Sequence, residues 1–354
     1  MDETVGREAT TSPRQPLAEG SELTWLGDPK HRPLLNAENL TVTRDGRLFV
    51  TGSERVCEIE PDRHGGFRWT DIPLPNDLEA VYRNGIAADD HYLYLACVEV
   101  DQEAQPLVRG WLPQLTSRPQ DALGFMLFML ALALCPVRSF VLRADLSERP
   151  LHFGERIALT GKCFANGLAV DERYLYAASS VSGDSGIHRL RLGDWTSSAP
   201  ETTLWYRTEQ HAPNGLKIGN KALYYTHLGS PPLFASTLTA LTLDDEPKVL
   251  NDGLCRQNGV MFDDFDIIDG RFVVAVVGDF ANVLGGFSGA IVFFDENGVR
   301  ESELTDPRIK HPSAVKVLRS DTPFGRAGDL LLTEKDSHTV WRMRLKPSAI
   351  LHCR

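Results

Sequence analysis

A chain of 354 residues, 42% hydrophobic and 24% charged, has the composition of a folded globular protein with room for one large all-β domain or two smaller ones. Its formal net charge of -11 argues against nucleic-acid binding, which needs clustered Lys and Arg, and agrees with a cationic ligand. The six cysteines (Cys57, Cys97, Cys135, Cys163, Cys255 and Cys353) form no CxxC pair, and only Cys353 has an adjoining His (His352), so a zinc site or a disulfide framework is not expected and several read as buried free thiols.

The N-terminus, MDETVGREATTSPRQPLAEG, is polar and lacks an apolar h-region. No secretory signal is read there, residues 1–20 are expected to form a flexible tail, and a cytoplasmic or membrane-associated protein is expected. From residue 21 to 354 one pattern recurs: a polar residue or pair, an apolar alternation, a turn, then a second apolar strand. Its copies are AENLTVTRDGRLFVTG from Ala37, RNGIAADDHYLYLACV from Arg83, ANGLAVDERYLYAASS from Ala165, PNGLKIGNKALYYTHLG from Pro213, QNGVMFDDFDIIDGRFVVAVVG from Gln257 and PSAVKVLRSDTPFGRAGDLLLTE from Pro312. With Glu38, Asn84, Asn166, Asn214, Asn258 and Ser313 as anchors, the steps are 46, 82, 48, 44 and 55 residues. Propeller blades recur about every 40 to 50 residues, and each copy is followed by a further alternating strand. The prediction is one all-β domain, a six-bladed β-propeller, with SELTWLG as the outer strand that closes the last blade.

The long second step holds an insertion in blade two, at about 103–138, between the second and third strands. Its run from Leu123 to Val137 is almost unbroken apolar sequence bounded by Pro119 and Pro136. That is short of the roughly 20 residues a comfortable bilayer span needs. A helix is expected, packed on the propeller, at a dimer contact, or serving as a lid or membrane-surface element that brings lipophilic substrates to the channel, with a true membrane span as the remaining alternative.

Each copy carries its turn between its two strands, so the first and last residues of the hairpin lie at the same end. The anchors should therefore form a polar ring at one channel mouth, joined by Ser53, Glu54, Glu99, Ser179, Ser180, His227, Asp279, Glu334 and Lys335 at the ends of the second strands. The Asn-Gly pairs precede the first strand in four copies, which sets them apart from hairpin turns. A carboxylate and several amide oxygens make a hard, oxygen-only environment of the kind calcium takes and zinc or copper do not. Glu38, Asn166, Asn214 and Asn258 are the candidate metal ligands, and Asn84, Glu99 and Ser180 the candidate substrate contacts.

At these residues the sequence resembles the superfamily of gluconolactonase, regucalcin (senescence marker protein) and paraoxonase. AENLTV, FANGLAV, APNGLKI and CRQNGV carry the resemblance, which spans roughly residues 30 to 345. It implies a six-bladed propeller that hydrolyses lactones or esters with a channel calcium held by Glu38, Asn166 and Asn214. In the fifth blade the family has an Asp, alone or followed by Asn, where this chain is read as Gln257 followed by Asn258. Asn84 stands where paraoxonases have a catalytic His. The expected chemistry is a metal-polarised carbonyl attacked by water, with His227 or Asp279 as base and His211 and His311 ranked behind them. No GxSxG or HExxH motif supports a serine hydrolase or zinc protease. The alternative keeps the fold without hydrolysis, as in strictosidine synthase-like proteins or a ligand-binding module.

Overall fold

Period-two alternation bounded by Asp, Gly and Asn turns builds strands along nearly the whole chain. The computed structural model describes residues 15–16, 22–28, 30–31, 33–75, 78, 81–100, 137–161, 163–180, 185–197, 200, 202–208, 212–228, 235–278 and 288–345. Two short strands come first, β1 (Gln15–Pro16) and β2 (Glu22–Trp25). Blade one is β3 (Leu40–Val42), β4 (Leu48–Gly52), β5 (Arg55–Pro61) and β6 (Phe67–Asp71). Blade two is β7 (Val81–Ala88), β8 (Tyr92–Val100), β9 (Val137–Asp145) and β10 (Phe153–Ala158). Blade three is β11 (Phe164–Val170), β12 (Tyr174–Ser180), β13 (Gly186–Arg191) and β14 (Thr202–Arg207). Blade four is β15 (Ala212–Gly219), β16 (Ala222–Leu228), β17 (Ser236–Thr242) and β18 (Val249–Gln257). Blade five is β19 (Met261–Ile268), β20 (Arg271–Val277), β21 (Ala290–Phe294) and β22 (Arg300–Thr305). Blade six is β23 (Pro312–Val317), β24 (Leu330–Glu334) and β25 (Thr339–Arg344), completed by β2.

Within every blade the strands pair antiparallel in chain order, and the first strands touch in a closed cycle: β3 with β7, β11, β15, β19, β23 and back to β3. That cycle lines the axis. The apolar faces of the blades are buried against one another, as a radial array of sheets requires. Each of the six cores lies between neighbouring blades: Phe49, Leu95 and Phe140 between blades one and two, for example, and Phe262, Val274 and Leu238 between four and five.

The ring closes as the sequence predicts. SELTWLG supplies β2, which pairs antiparallel with β25 from Glu22 against Arg344 to Trp25 against Trp341. Leu26, fully buried, sits in the core shared by blades six and one, and its carbonyl accepts from Trp69 Nε1 at 2.8 Å. The first strand of the chain thus staples the last blade to the first. The predicted tail is not wholly free of pairing, since Gln15 and Pro16 run parallel to Leu304 and Thr305 of β22.

The predicted insertion leaves β8 and rejoins at β9, whose facing ends pair Val100 with Val137. Val137 and Arg138, assigned to the insertion from the sequence, are the first residues of β9. The remainder of it, with the expected helix, lies outside the described residues. Among the described residues the helical content is one 3-10 turn, Leu192–Asp194, and no helix is long and apolar enough to cross a membrane.

Candidate active site

The first strands break register with their partners near one end. The shifts fall between Arg83 and Ile86, Ala165 and Leu168, Pro213 and Leu216, Phe262 and Phe265, and Pro312 and Ala314. The residues skipped are Asn84–Gly85, Asn166–Gly167, Asn214–Gly215, Asp263–Asp264 and Ser313. A bulge of this kind frees residues from the ladder and re-aims their side chains. In blade one the equivalent place precedes β3: Glu38 N–H donates to the Thr51 carbonyl and Thr51 N–H to that of Asn39, at 2.8 and 2.9 Å. The glycine after each Asn has a steric reason. A Cβ on Gly85 or Gly167 would run into the carbonyl of Asn166 or Asn214 in the next blade, because the blades crowd towards the axis. Asn-Gly is here a close-approach pair rather than a hairpin turn.

Freed in this way, the side chains join in an arc around the mouth. Asn166 Nδ2 donates to Asn214 Oδ1, and Asn214 Nδ2 donates to Asp263 Oδ1 at 2.7 Å. Lys335, directly after β24, then bridges Asp263 Oδ2 at 3.0 Å and Glu38 Oε2 at 2.9 Å. Residues from blades three, four, five, six and one thereby form one hydrogen-bonded chain. Hydroxyls of the second strands lock the bulges beneath it. Thr51 donates to the Asn84 carbonyl at 2.6 Å, Thr226 to that of Asp263 at 2.9 Å and Thr333 to that of Glu38 at 3.1 Å. Thr226 Oγ1 also accepts from Gly215 N–H at 2.8 Å. Thr226→Val keeps the shape and strands both groups, so a loss of about 1–3 kcal/mol is expected in denaturant unfolding.

Lys335 is held by its own backbone. Its N–H donates to the His311 carbonyl at 3.0 Å, while Glu334 accepts from His311 N–H at 2.7 Å and from Ser337 N–H at 2.5 Å, capping the turn. Burial pushes the Glu38 carboxyl up to about 7, against the Lys335 ammonium that pulls it down and with the Asp263 charge that adds to the rise. The carboxylates of Asp263 and Glu38 hold the Lys335 ammonium well above the usual lysine range despite its burial. Burial, helped by that ammonium, pushes His311 well below the usual imidazole range and keeps it neutral. Asp336, next in the turn, is raised to about 6 by burial and by Glu334.

Of the predicted residues, Glu38, Asn166 and Asn214 come together. Asn258 does not: it lies exposed in the bend after β18, on the outer strand of blade four, and Gly259 beside it has φ +75°. There Asn-Gly is a true turn. Asp263 takes the fifth-blade position, and its signal is spacing. Asn84, Asn166, Asn214 and Asp263 each precede the start of their hairpin turn by five residues, whereas Asn258 precedes its own by ten. With Asp263 as anchor the last steps become 49 and 50 residues, close to the 48 before them. Lys335 was placed at the mouth by the sequence but given no role.

Asn84 is buried, and its Nδ2 donates to the Ala165 carbonyl at 2.7 Å. Ser180 is buried and donates to the Pro213 carbonyl, while Glu99 is half-buried opposite Val81 and Arg138. His227 is buried with its Nε2 against Thr237 Oγ1 on β17. It alternates with Thr226 along β16, so it faces the other side of the blade from the hydroxyl that supports Asp263. Asp279 and His211 lie outside the described residues.

The donors of the arc are the oxygen ligands that calcium takes, but their arrangement does not fit that ion. Lys335 already ion-pairs with both carboxylates, and Asn214 Oδ1 is occupied by Asn166. A dication about 4 Å from the ammonium would meet roughly 8 kcal/mol of repulsion from it at an effective dielectric of about 20, which offsets part of the carboxylates' attraction.

Two other places hold polar groups. A cavity of about 600 Å³ opens between the turns of blades one and two, lined by Arg44, Asp45, Asp89, Asp90 and His91. It lies at the far end of the blades from the arc. His31, Cys57 and Asp71 converge at the edge of blade one, with His31 Nε2 and Cys57 Sγ 3.3 and 3.2 Å from Asp71 Oδ1. So Cys57 does have a nearby His in space, although none is near in sequence. Arg55 pairs with the same carboxylate, and burial followed by Asp71 pushes the Cys57 thiol far up.

No family model and no curated protein matches the chain. Solved structures do. A gluconolactonase from Xanthomonas campestris aligns at 13% identity and a TM-score of 0.53, covering 94% of this chain and 91% of that one. A Thermus thermophilus protein described as an oxidoreductase of the glucose dehydrogenase type aligns at 13% identity and 0.54, covering 92% and 100%. Virginiamycin B lyase from Staphylococcus aureus aligns at 10% identity and 0.50, covering 92% and 100%. At such identities the likeness speaks for architecture alone, and one architecture serves three chemistries. The chain shares the six-bladed propeller fold of gluconolactonase-type proteins.

Proposed function

We propose that this propeller is a hydrolase of lactones or esters working at the channel mouth where Glu38, Asp263, Asn214, Asn166 and Lys335 meet. The observation that carries the reading is the Lys335 ammonium, positioned between two carboxylates at the end of an amide relay. An ammonium has three N–H donors. Glu38 and Asp263 take two, and the third, which meets no acceptor among the described residues, would polarise a substrate carbonyl and stabilise the oxyanion that forms. Glu38 is the base that takes the proton of the attacking water, at hydrogen-bond reach of the same ammonium. Lactone hydrolysis is one of the chemistries that this architecture carries in the similar structures. The insertion supports a lipophilic acyl portion, because β8 and β9 open onto this mouth and its Leu123–Val137 run is apolar. A dimer or membrane-surface contact through that run would leave the chemistry unchanged.

A second reading, a propeller that binds a ligand without turning it over, is favoured by the mutual saturation of Asn166, Asn214 and Asp263. A panel of aliphatic lactones and aryl esters separates the two. Turnover is expected on at least one member, falling by about a hundredfold or more in Glu38→Gln, in line with loss of a general base. A panel without turnover above background would leave the binding reading.

A further inference from the structure

We propose that Lys335 is the resident cation of this channel, supplied by the chain in the place where a hard divalent ion would otherwise sit. The inference takes the mouth as the functional site but does not require that it hydrolyse anything. Three observations carry it. The ammonium stands 2.9 Å from Glu38 Oε2 and 3.0 Å from Asp263 Oδ2, carboxylates that come from the first and fifth blades. All three side chains are largely buried, with 16%, 17% and 6% of their surfaces exposed for Lys335, Glu38 and Asp263. The lysine does not reach in from a loose surface loop: its backbone is tied to His311, and Glu334 caps its turn.

The chemistry follows from charge and size. Two buried carboxylates and two amide side chains form a site that needs positive charge, and either a divalent ion or an ammonium provides it. An ammonium does so with directional N–H donors and without dehydrating an ion, and it excludes a second cation by repulsion. The wild-type protein should therefore be indifferent to calcium. Removing the ammonium while keeping the oxygens should turn the mouth into a calcium site.

Thermal melts in millimolar calcium and in chelator test this, with calcium titration calorimetry alongside. The wild type and Lys335→Arg are expected to melt at the same temperature in both solutions. Lys335→Met, or Lys335→Gln if the methionine variant does not fold, is expected to melt higher in calcium by about 3 °C or more and to bind one ion. A calcium-dependent rise in the wild type, or saturable binding to it, would overturn the proposal even if neither variant folds. So would folded Met and Gln variants that ignore calcium. Because the readout is melting and binding, a lactone panel without turnover leaves the inference standing, and calcium binding by the wild type leaves hydrolysis standing.

Discussion

Asp263→Leu is expected to lower the unfolding free energy by about 3 kcal/mol, measured by denaturant titration near neutral pH. Two losses combine. The Asn214 amide, buried and donating to Asp263 at 2.7 Å, is left without its acceptor, and Lys335 loses one of its two carboxylates. Glu38 remains as partner for the ammonium, which keeps the cost at the lower end of the range for breaking a buried ion pair. Asn258→Ala, at the position that the sequence pattern favoured, is expected to change stability by no more than about 0.5 kcal/mol, because that side chain is exposed. Equal effects from the two substitutions would mean that the arc does not exist as described.

The second large effect is one of pH. Glu38 is raised from 4.5 to about 7 by burial, with the charges of Asp263 and Asp264 adding and the Lys335 ammonium opposing. A carboxyl that holds its proton more tightly when folded stabilises the fold below its unfolded pKa. That contribution is lost as pH rises from about 4.5 through 7, and it amounts to roughly 3 kcal/mol. His311 acts the other way, since a buried neutral imidazole favours folding above about 6.5 and loses that contribution as pH falls. The Glu38 contribution is isolated by difference. Stability curves of the wild type and Glu38→Gln should diverge across this window, with the wild type losing ground as pH rises. Parallel curves would refute the assignment.

The local signals were read correctly where geometry is local. Strand alternation, Asp and Gly turns and the near-regular step identified six blades, and SELTWLG was matched to the last of them because each blade lacks a strand only at the closure. Glu38, Asn166 and Asn214 were picked out because each stands near the start of a first strand, just before β3 or at the third residue of β11 and β15. Asn258 was misplaced because Asn-Gly suits both a turn and a crowded approach between blades, and at Gln257–Gly259 it is the turn. The distance to the following hairpin turn distinguishes the two uses, and DDFD in blade five meets it without Asn or Gly.

The sequence by itself determined the number of blades, the outer strand that closes the ring and the end of the blades at which polar residues gather, since these follow from periodicity and turn chemistry within each repeat. Only the tertiary structure decided that Lys335 stands between Glu38 and Asp263 and that Asp263 completes the arc. Side chains from nearly opposite ends of the chain meet because the propeller closes on itself, and the charge balance inside a closed ring is a property of no single repeat.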